Sequence, residues 1–325
     1  MISVDTIVVG GGPAGSSCAW RLRRHGVECL VLDRAAFPRP KLCAGWVTPQ
    51  VVEDLAIEPG EYPGGFLTFD ALRLGLKGLG FTFRTVQHSI RRVEFDAWLL
   101  ARSGAPFEVH DVRDVREDDD GHVVDGKYRC RHLVGAAGTS CPVRRALFRG
   151  TAPRPEALQA AVLEEEFPHD WADGTCRLWF FERGLPGYSW YVPKAGGHLN
   201  VGVGGMAGKL KAKGSSIRPH WKALTERLAA TGLVPERAWS PGGYTYYLRP
   251  RADAFRRGDA FLVGDAAGLA TRDLCEGIGP AVRSGLLAAD AIALGRPYDL
   301  ATVAKHSIEH GLVRRALDWA FCGRA

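Results

Sequence analysis

What the chain does without narrows its class before any motif is read. No two of its eight cysteines, at 18, 29, 43, 130, 141, 176, 275 and 322, form a CxxC pair. That absence argues against a zinc site or a disulfide-stapled secreted fold, and for a reducing cytosol. No metal centre is expected. No apolar run approaches the roughly 20 residues needed to cross a bilayer, and no basic segment precedes a signal-type core at the N-terminus. The chain therefore reads as cytoplasmic, with a peripheral membrane contact left open. Its net charge of +6 is not gathered into a basic stripe, so no nucleic-acid partner is expected. Internal repeats and low-complexity stretches are missing too. The 325 residues, 46% apolar and 24% charged, are enough for two lobes around a sizeable core.

The N-terminal pattern is a βαβ unit, with a strand at 2–9, a helix at 13–25 and a strand at 27–33. A Pro-rich loop, 37–49, leads to a short helix from Gln50. Residues 89–102 read as a helix, and 107–116 and 122–134 as strands around an acidic hairpin, 117–121. From Leu158 to Val203 the pattern is strand-like and rich in aromatics, the expected place of a mostly antiparallel sheet. Residues 218–230 are expected as a helix, 244–248 and 260–263 as strands, and 281–294 as a long helix. Nucleotide-binding signals at both ends imply an α/β fold: a discontinuous Rossmann-type domain with the sheet lobe inserted. The expected division puts 1–74, 88–154 and 248–298 in the dinucleotide-binding domain and 75–87 and 155–247 in a substrate domain. Residues 299–325 form a short C-terminal helical tail.

The first motif is Gly10-Gly11-Gly12-Pro13-Ala14-Gly15, a GxGxxG between strand and helix. Gly10 permits the tight turn, Gly12 lets the backbone approach a pyrophosphate, and Gly15 lets helix and strand pack closely. The helix N-terminus then offers unpaired N–H groups to the phosphates. Asp33, followed by Arg34, ends the next strand where an acid accepts hydrogen bonds from the adenosine ribose. This motif does not separate FAD from NAD. The second motif does: Ala260-Phe261-Leu262-Val263-Gly264-Asp265-Ala266-Ala267-Gly268. Gly264 turns the chain and presents Asp265 at a strand end, placed for flavin ribityl hydroxyls. Glu276-Gly277-Ile278-Gly279-Pro280 follows, with Pro280 suited to a first helical turn. A helix starting there points its positive end at the cofactor.

Together these motifs resemble the FAD-dependent superfamily of aromatic hydroxylases, lycopene cyclases and geranylgeranyl reductases. Two segments narrow the resemblance to the geranylgeranyl reductase branch. Lys41-Leu42-Cys43-Ala44-Gly45 is similar to that branch's KxCGG loop beside the flavin. Tyr188-Ser189-Trp190-Tyr191-Val192-Pro193, followed by Gly202-Val203-Gly204, looks like its YxWxFP…GxG substrate-cavity motif. Arg92-Val93-Glu94-Phe95-Asp96 with Leu99 resembles the RxxFDxxL helix, whose arginine sits near the FAD phosphates. Gly135-Ala136-Ala137-Gly138 stands where relatives carry GADG, so Ala137 replaces an aspartate that helps bind FAD and NADPH in hydroxylases. That lowers the expectation of direct NADPH use. Ala44 and Cys275 each replace a family glycine. The chain also ends soon after the long helix, which weighs against a long prenyl substrate.

The resemblance implies an FAD-dependent oxidoreductase that reduces carbon–carbon double bonds in an apolar or prenyl-like substrate. Its electron donor is open among NAD(P)H, ferredoxin and another reductant. Two alternatives stand beside it: a flavin monooxygenase hydroxylating a small molecule or protein-bound side chain, and a non-redox cyclase or accessory flavoprotein. Tyr188 and Trp190, on one face of a strand with Tyr191 on the other, are either an aromatic cavity wall or ordinary sheet packing. Cys43 is either a residue at the flavin edge or a small buried hydrophobe, and a Cys43–Cys275 pair flanking the flavin is conceivable. His198 and His220 are candidate acids or bases only by lying in the sheet lobe. Residues 308–321 mix Leu, Trp and Phe with Arg at helical spacing, for docking on a membrane or packing back on the domain.

Overall fold

The computed structural model describes residues 1–325 apart from 77, 153, 251–253, 309–310 and 323–325, with no side-chain account of 312 and 313. Two sheets organise the chain. The first contains β1 (Ile2–Val9) and β2 (Cys29–Asp33), while β3 (Trp46–Val47), β4 (Leu67–Leu76) and β5 (Leu79–Ser89) lie in the second. The chain then returns to the first sheet with β6 (Phe107–Val109), β7 (Val115–Asp118), β8 (Gly121–Val124) and β9 (Tyr128–Gly135). β10 (Gln159–Pro168), β11 (Cys176–Phe180), β12 (Gly187–Lys194), β13 (His198–Met206) and β14 (Gly242–Tyr247) complete the second sheet. β15 (Arg256–Arg257) and β16 (Ala260–Leu262) close the first. The helices are α1 (Pro13–Arg24), α2 (Pro49–Asp54), α3 (Arg92–Arg102), α4 (Pro142–Leu147), α5 (Ala207–Ala212), α6 (Ile217–Ala230), α7 (Ile278–Leu294) and α8 (Gly311–Cys322).

The first sheet runs β15-β16-β9-β1-β2-β6, with β1 parallel to both β2 and β9, and β9 parallel to β16. Its central strands are buried on both faces, as a sheet covered by crossover helices requires. The second runs β14-β10-β13-β12-β11-β4-β5-β3 and is antiparallel except where β4 joins β11. The α/β class and the inserted, mostly antiparallel sheet are borne out. β4 itself runs unbroken across residues 74 and 75, where the sequence suggested a domain boundary.

Close approach on the first sheet depends on small residues. A Cβ on Gly15 would stand 1.8 Å from the Gly10 carbonyl oxygen, and one on Gly285 2.2 Å from that of Ala14. α1 and α7 therefore pack backbone to backbone, and the side chains of Arg21 on α1 and His25 just beyond its end both reach Asp290 of α7, at 2.7 and 3.0 Å.

Three expected elements come out differently. The helix read at 89–102 starts at Arg92, because Ser89 Oγ donates to the Pro193 carbonyl and Ile90 N–H to that of Gly45. The strand read at 107–116 is two short pieces. The Asp125 carboxylate accepts the N–H groups of Arg113 and Asp114, which turns the chain between β6 and β7. Asp125, at φ +49, and Gly126, at φ +64, likewise break the expected strand at 122–134 into β8 and β9.

Candidate active site

A cavity of about 1630 Å³ is lined from both sheets. That exceeds the roughly 300–1,000 Å³ of a pocket for one drug-sized ligand, leaving room for an extended dinucleotide and a second molecule. One pole is built by the parallel strands. Gly10, Gly12, Pro13 and Ala14 form the turn from β1 into α1, and Asp33 and Arg34 lie at the end of β2. Ala137 and Gly138 follow β9, and Asp265 follows β16. Gly10, at φ +113, abuts Ala136: a Cβ there would lie 2.5 Å from its backbone. A Cβ on Gly12 would instead face open space, meeting only the Arg39 guanidinium at 3.6 Å. The loop thus exposes its backbone to the cavity where a phosphate group needs it.

Asp33 braces this loop, accepting the Gly11 N–H at 2.8 Å and the Ala35 N–H at 3.1 Å. Asp265 lies across from it. Its carboxylate lines the cavity beside Gly277 and accepts no hydrogen bond among the described residues. Arg154 donates to the Asp265 and Ala266 carbonyls at 2.8 and 2.9 Å, pinning the turn from behind. Burial lowers the Arg154 pKa to about 10. Cavity-facing glycine backbone, an unspent carboxylate and adjacent guanidinium groups form a donor set that fits a flavin dinucleotide.

Three predicted glycines do not line the cavity. Gly15 packs on Gly10, Gly45 on Ile90 and Lys194, and Gly264 on Ala14 and Ala281. Arg92 lines it, but its guanidinium is held by both Asp96 oxygens at 2.6 and 2.7 Å. Burial works against that charge, yet Asp96 and the Cys43 sulfur prevail and raise its pKa. Arg39, which the sequence reading passed over in a Pro-rich loop, reaches closer to the glycine turn.

At the start of α7, Gly277, Ile278 and Gly279 line the cavity. The Glu276 carboxylate, however, already accepts the Gly279 N–H at 2.6 Å. Burial pushes its pKa up to about 7, against the pull of the Gly279 and Ile278 N–H groups. Cys275 has φ +57, a left-handed conformation that favours glycine.

The other pole is aromatic. Tyr188, Trp190, Tyr244, Tyr246 and Phe321 line it with Leu178 and Val192. Tyr191 packs on the opposite face with Leu199, Val201 and Leu224. Register explains the motif spacing: Trp190 pairs with Gly202 and Tyr188 with Gly204. A Cβ on Gly202 would lie 2.2 Å from the Trp190 ring, so the glycine makes room for the indole. Trp190 Nε1 donates to Asn200 at 2.7 Å, and the Asn200 amide donates to the Cys43 carbonyl at 3.3 Å. Lys194, fully buried, donates to the Ala44 and Ile90 carbonyls, both at 2.6 Å. Lys41 Nζ sits 4.5 Å over the Tyr244 ring. The loop at 41–45 is therefore stapled to the aromatic wall by two side chains, Asn200 and Lys194, that motif reading did not single out. Both follow the aromatic motif closely in sequence, but only strand register shows where they reach.

Behind the wall, Glu164 is fully buried near Tyr244, whose hydroxyl donates to it at 3.4 Å. Burial raises the Glu164 pKa to about 7, against the opposing pull of Lys194 and Lys41. Cys43 and Cys275 both line the cavity and both are free thiols. His198 and His220 stand away from it: the first bonds the Gly196 carbonyl, the second lies on α6. Phe321 of α8 packs on Phe181 and Tyr188, at ring separations of 5.4 and 6.3 Å, so the C-terminal segment folds back onto the sheet. Residues 309 and 310 of the stretch read at 308–321 lie outside the described residues.

Residues 8–56 match the model of the NAD(P)-binding Rossmann-like domain. The menaquinone reductase of Mycolicibacterium smegmatis is 29% identical over 323 residues, covering 91% of this chain and 78% of the relative. The geranylgeranyl diphosphate reductase of Rhodobacter capsulatus is 29% identical over 340 residues, covering 96% and 82%. A geranylgeranyl bacteriochlorophyll reductase-like protein from Thermoplasma acidophilum superposes with a TM-score of 0.79 at 19% identity, over 91% of this chain and 79% of that one. No described helix is long and apolar enough to cross a membrane.

Proposed function

From its likeness to geranylgeranyl reductase-like FAD flavoproteins, we propose that this chain is an FAD-dependent reductase of carbon–carbon double bonds in an apolar, prenyl-like substrate. One observation carries the reading: a single cavity joins a dinucleotide-binding pole to an aromatic chamber. Gly10, Gly12, Pro13, Ala14, Asp33, Arg34, Arg39 and Asp265 hold FAD, with Ala137, Gly138 and the 277–279 turn beside it. Bound and reduced, FAD supplies the hydride equivalent. Tyr188 and Trp190 flank the alkene, and the loop with Lys41, Cys43 and Ala44 closes the chamber between cofactor and substrate. The aromatic wall excludes water from the reacting carbons.

Proton supply falls to Tyr244, because its hydroxyl alone among the three wall tyrosines is backed by an ionisable carboxyl. The Tyr188 hydroxyl is spent on the Leu274 carbonyl, and that of Tyr246 engages the Cys275 thiol. A proton leaving the Tyr244 hydroxyl is restored from Glu164. Ala137 in the cavity wall favours a donor other than docked NADPH, such as a ferredoxin-type reductant. Eight free thiols fit work in a reducing cytoplasm.

The test begins with colour: purified protein is expected to be yellow and to release FAD on denaturation. Reduced anaerobically, it should be reoxidised by a polyprenyl alkene, whose mass rises by two hydrogens. Flavin that stays reduced until oxygen and a hydroxylatable substrate are added would transfer the reading to a monooxygenase.

A further inference from the structure

The β4–β5 hairpin carries an apolar face that leads out of the cavity. Three cross-strand pairs stack along it: Leu72 with Phe83, Leu74 with Phe81, and Leu76 with Leu79. Side chains directly opposite on neighbouring strands share one face, so the six form a continuous stripe. Its inner end belongs to the cavity, where Leu72 and Phe83 are lining residues. From there exposure rises outward, from 40% at Phe83 to 50% at Phe81 and 75% at Leu79. Such a gradient serves no core. Large apolar side chains gathered in the open mark an interaction surface.

The opposite face carries the charge. Arg73 and Arg84 sit beside Thr82 and Ala71 in the same register, and both are exposed, Arg84 at the rim of the cavity. Neither makes an ion pair among the described residues. β5 is also an outer strand, since β3 pairs only with His88 and Ser89. Long apolar edge strands are normally blunted by charge or covered. Here the two arginines extend from the other face, so a hairpin entering edge-first carries the stripe into an apolar medium while their long side chains reach along its surface.

We infer that the β4–β5 hairpin seats the protein on an anionic lipid bilayer, its apolar stripe in the interface and Arg73 and Arg84 at the headgroups. A lipid surface fits both halves of this face: the stripe gains an apolar medium, and the unpaired guanidiniums gain phosphates. A second copy paired along β5 fits less well, since it would bring these like-charged arginines together and cover the residues at the cavity rim. The stripe then serves as a ramp from the acyl chains to the cavity. The ramp role rests on the reductase reading. The bilayer contact does not.

Vesicle sedimentation tests it with the full chain. Binding is expected to phosphatidylcholine vesicles containing one-quarter phosphatidylglycerol, and to weaken on pure phosphatidylcholine or in high salt. The double variant Leu79→Ser/Phe81→Ser should bind at least about tenfold more weakly. Arg73→Gln/Arg84→Gln should lose the preference for phosphatidylglycerol while keeping residual binding. Because these side chains are exposed, thermal melts should match the wild type, which separates lost docking from misfolding. Trp319→Ser, on the 72% exposed side chain of α8, should bind normally. Retained binding by the Leu79/Phe81 variant, loss with Trp319→Ser alone, or a dimer in light scattering that dissociates in the hairpin variant would each overturn the inference. Normal vesicle binding by a protein that reduces no alkene would leave it standing and sink only the reductase reading.

Discussion

Gly12 and Gly15 are three residues apart in one loop, yet a methyl group added to each meets different surroundings. At Gly12 it would project into the cavity, 3.6 Å from the Arg39 guanidinium, from an ordinary φ of −74. At Gly15 it would strike the Gly10 carbonyl. Gly12→Ala should therefore leave the melting temperature of the flavin-free protein nearly unchanged while reducing FAD retention at least about tenfold. Gly15→Ala should destabilise the fold itself by about 1–3 kcal/mol, read by urea denaturation. Equal effects from the two would sink the distinction. Both glycines were legible in the motif, and so was the close packing that Gly15 serves. Arg39 was not. Nothing about an arginine between Pro38 and Pro40 points to the cavity until the loop is folded over the glycine turn.

Among elements, α7 and the β10–β13 pair carry two carboxyl groups with consequences for pH. Glu276 at the start of α7 and Glu164 on β10 each have a pKa raised to about 7, chiefly by burial. In the unfolded chain both would ionise near the usual carboxylate value, so between that value and about 7 the folded state holds the extra protons. Stability then falls as pH rises across that window, and the full contribution is present only below it. The wild type should lose stability between about pH 4.5 and 7. Glu276→Gln and Glu164→Gln should each flatten that slope in denaturant titrations run at several pH values. A slope unchanged in both variants would mean that neither group is neutral when folded. The start of α7 was legible from Gly277 and Pro280. That its first N–H groups are taken by Glu276 was not, since the carboxylate reaches back over the turn only once Thr271 N–H holds the Glu276 carbonyl.

At the scale of the molecule, the two sheets meet across one cavity that the fold alone assembles. If that cavity binds FAD only when folded, the cofactor raises stability by mass action. Thermal midpoints of flavin-free protein should climb with added FAD, equivalent to about 2.7 kcal/mol at a hundredfold excess over Kd. Midpoints indifferent to FAD would place the cofactor elsewhere. The sequence by itself determined the two strand-end motifs, the βαβ unit and the aromatic strand, because glycine, proline and alternating apolar residues act within a few positions of themselves. Its failures at 89–91, 107–116 and 125–126 share a cause: each segment takes its shape from a hydrogen bond to a residue outside its own pattern. Tertiary structure decided the rest. It set Gly202 beneath Trp190, ran Lys194 to the loop at Ala44, backed Tyr244 with Glu164 and left a greasy hairpin face uncovered. Those relations join residues up to 150 positions apart, as Lys194 and Ala44 are. Strand register and packing create them, and no local periodicity encodes which distant backbone a side chain will reach.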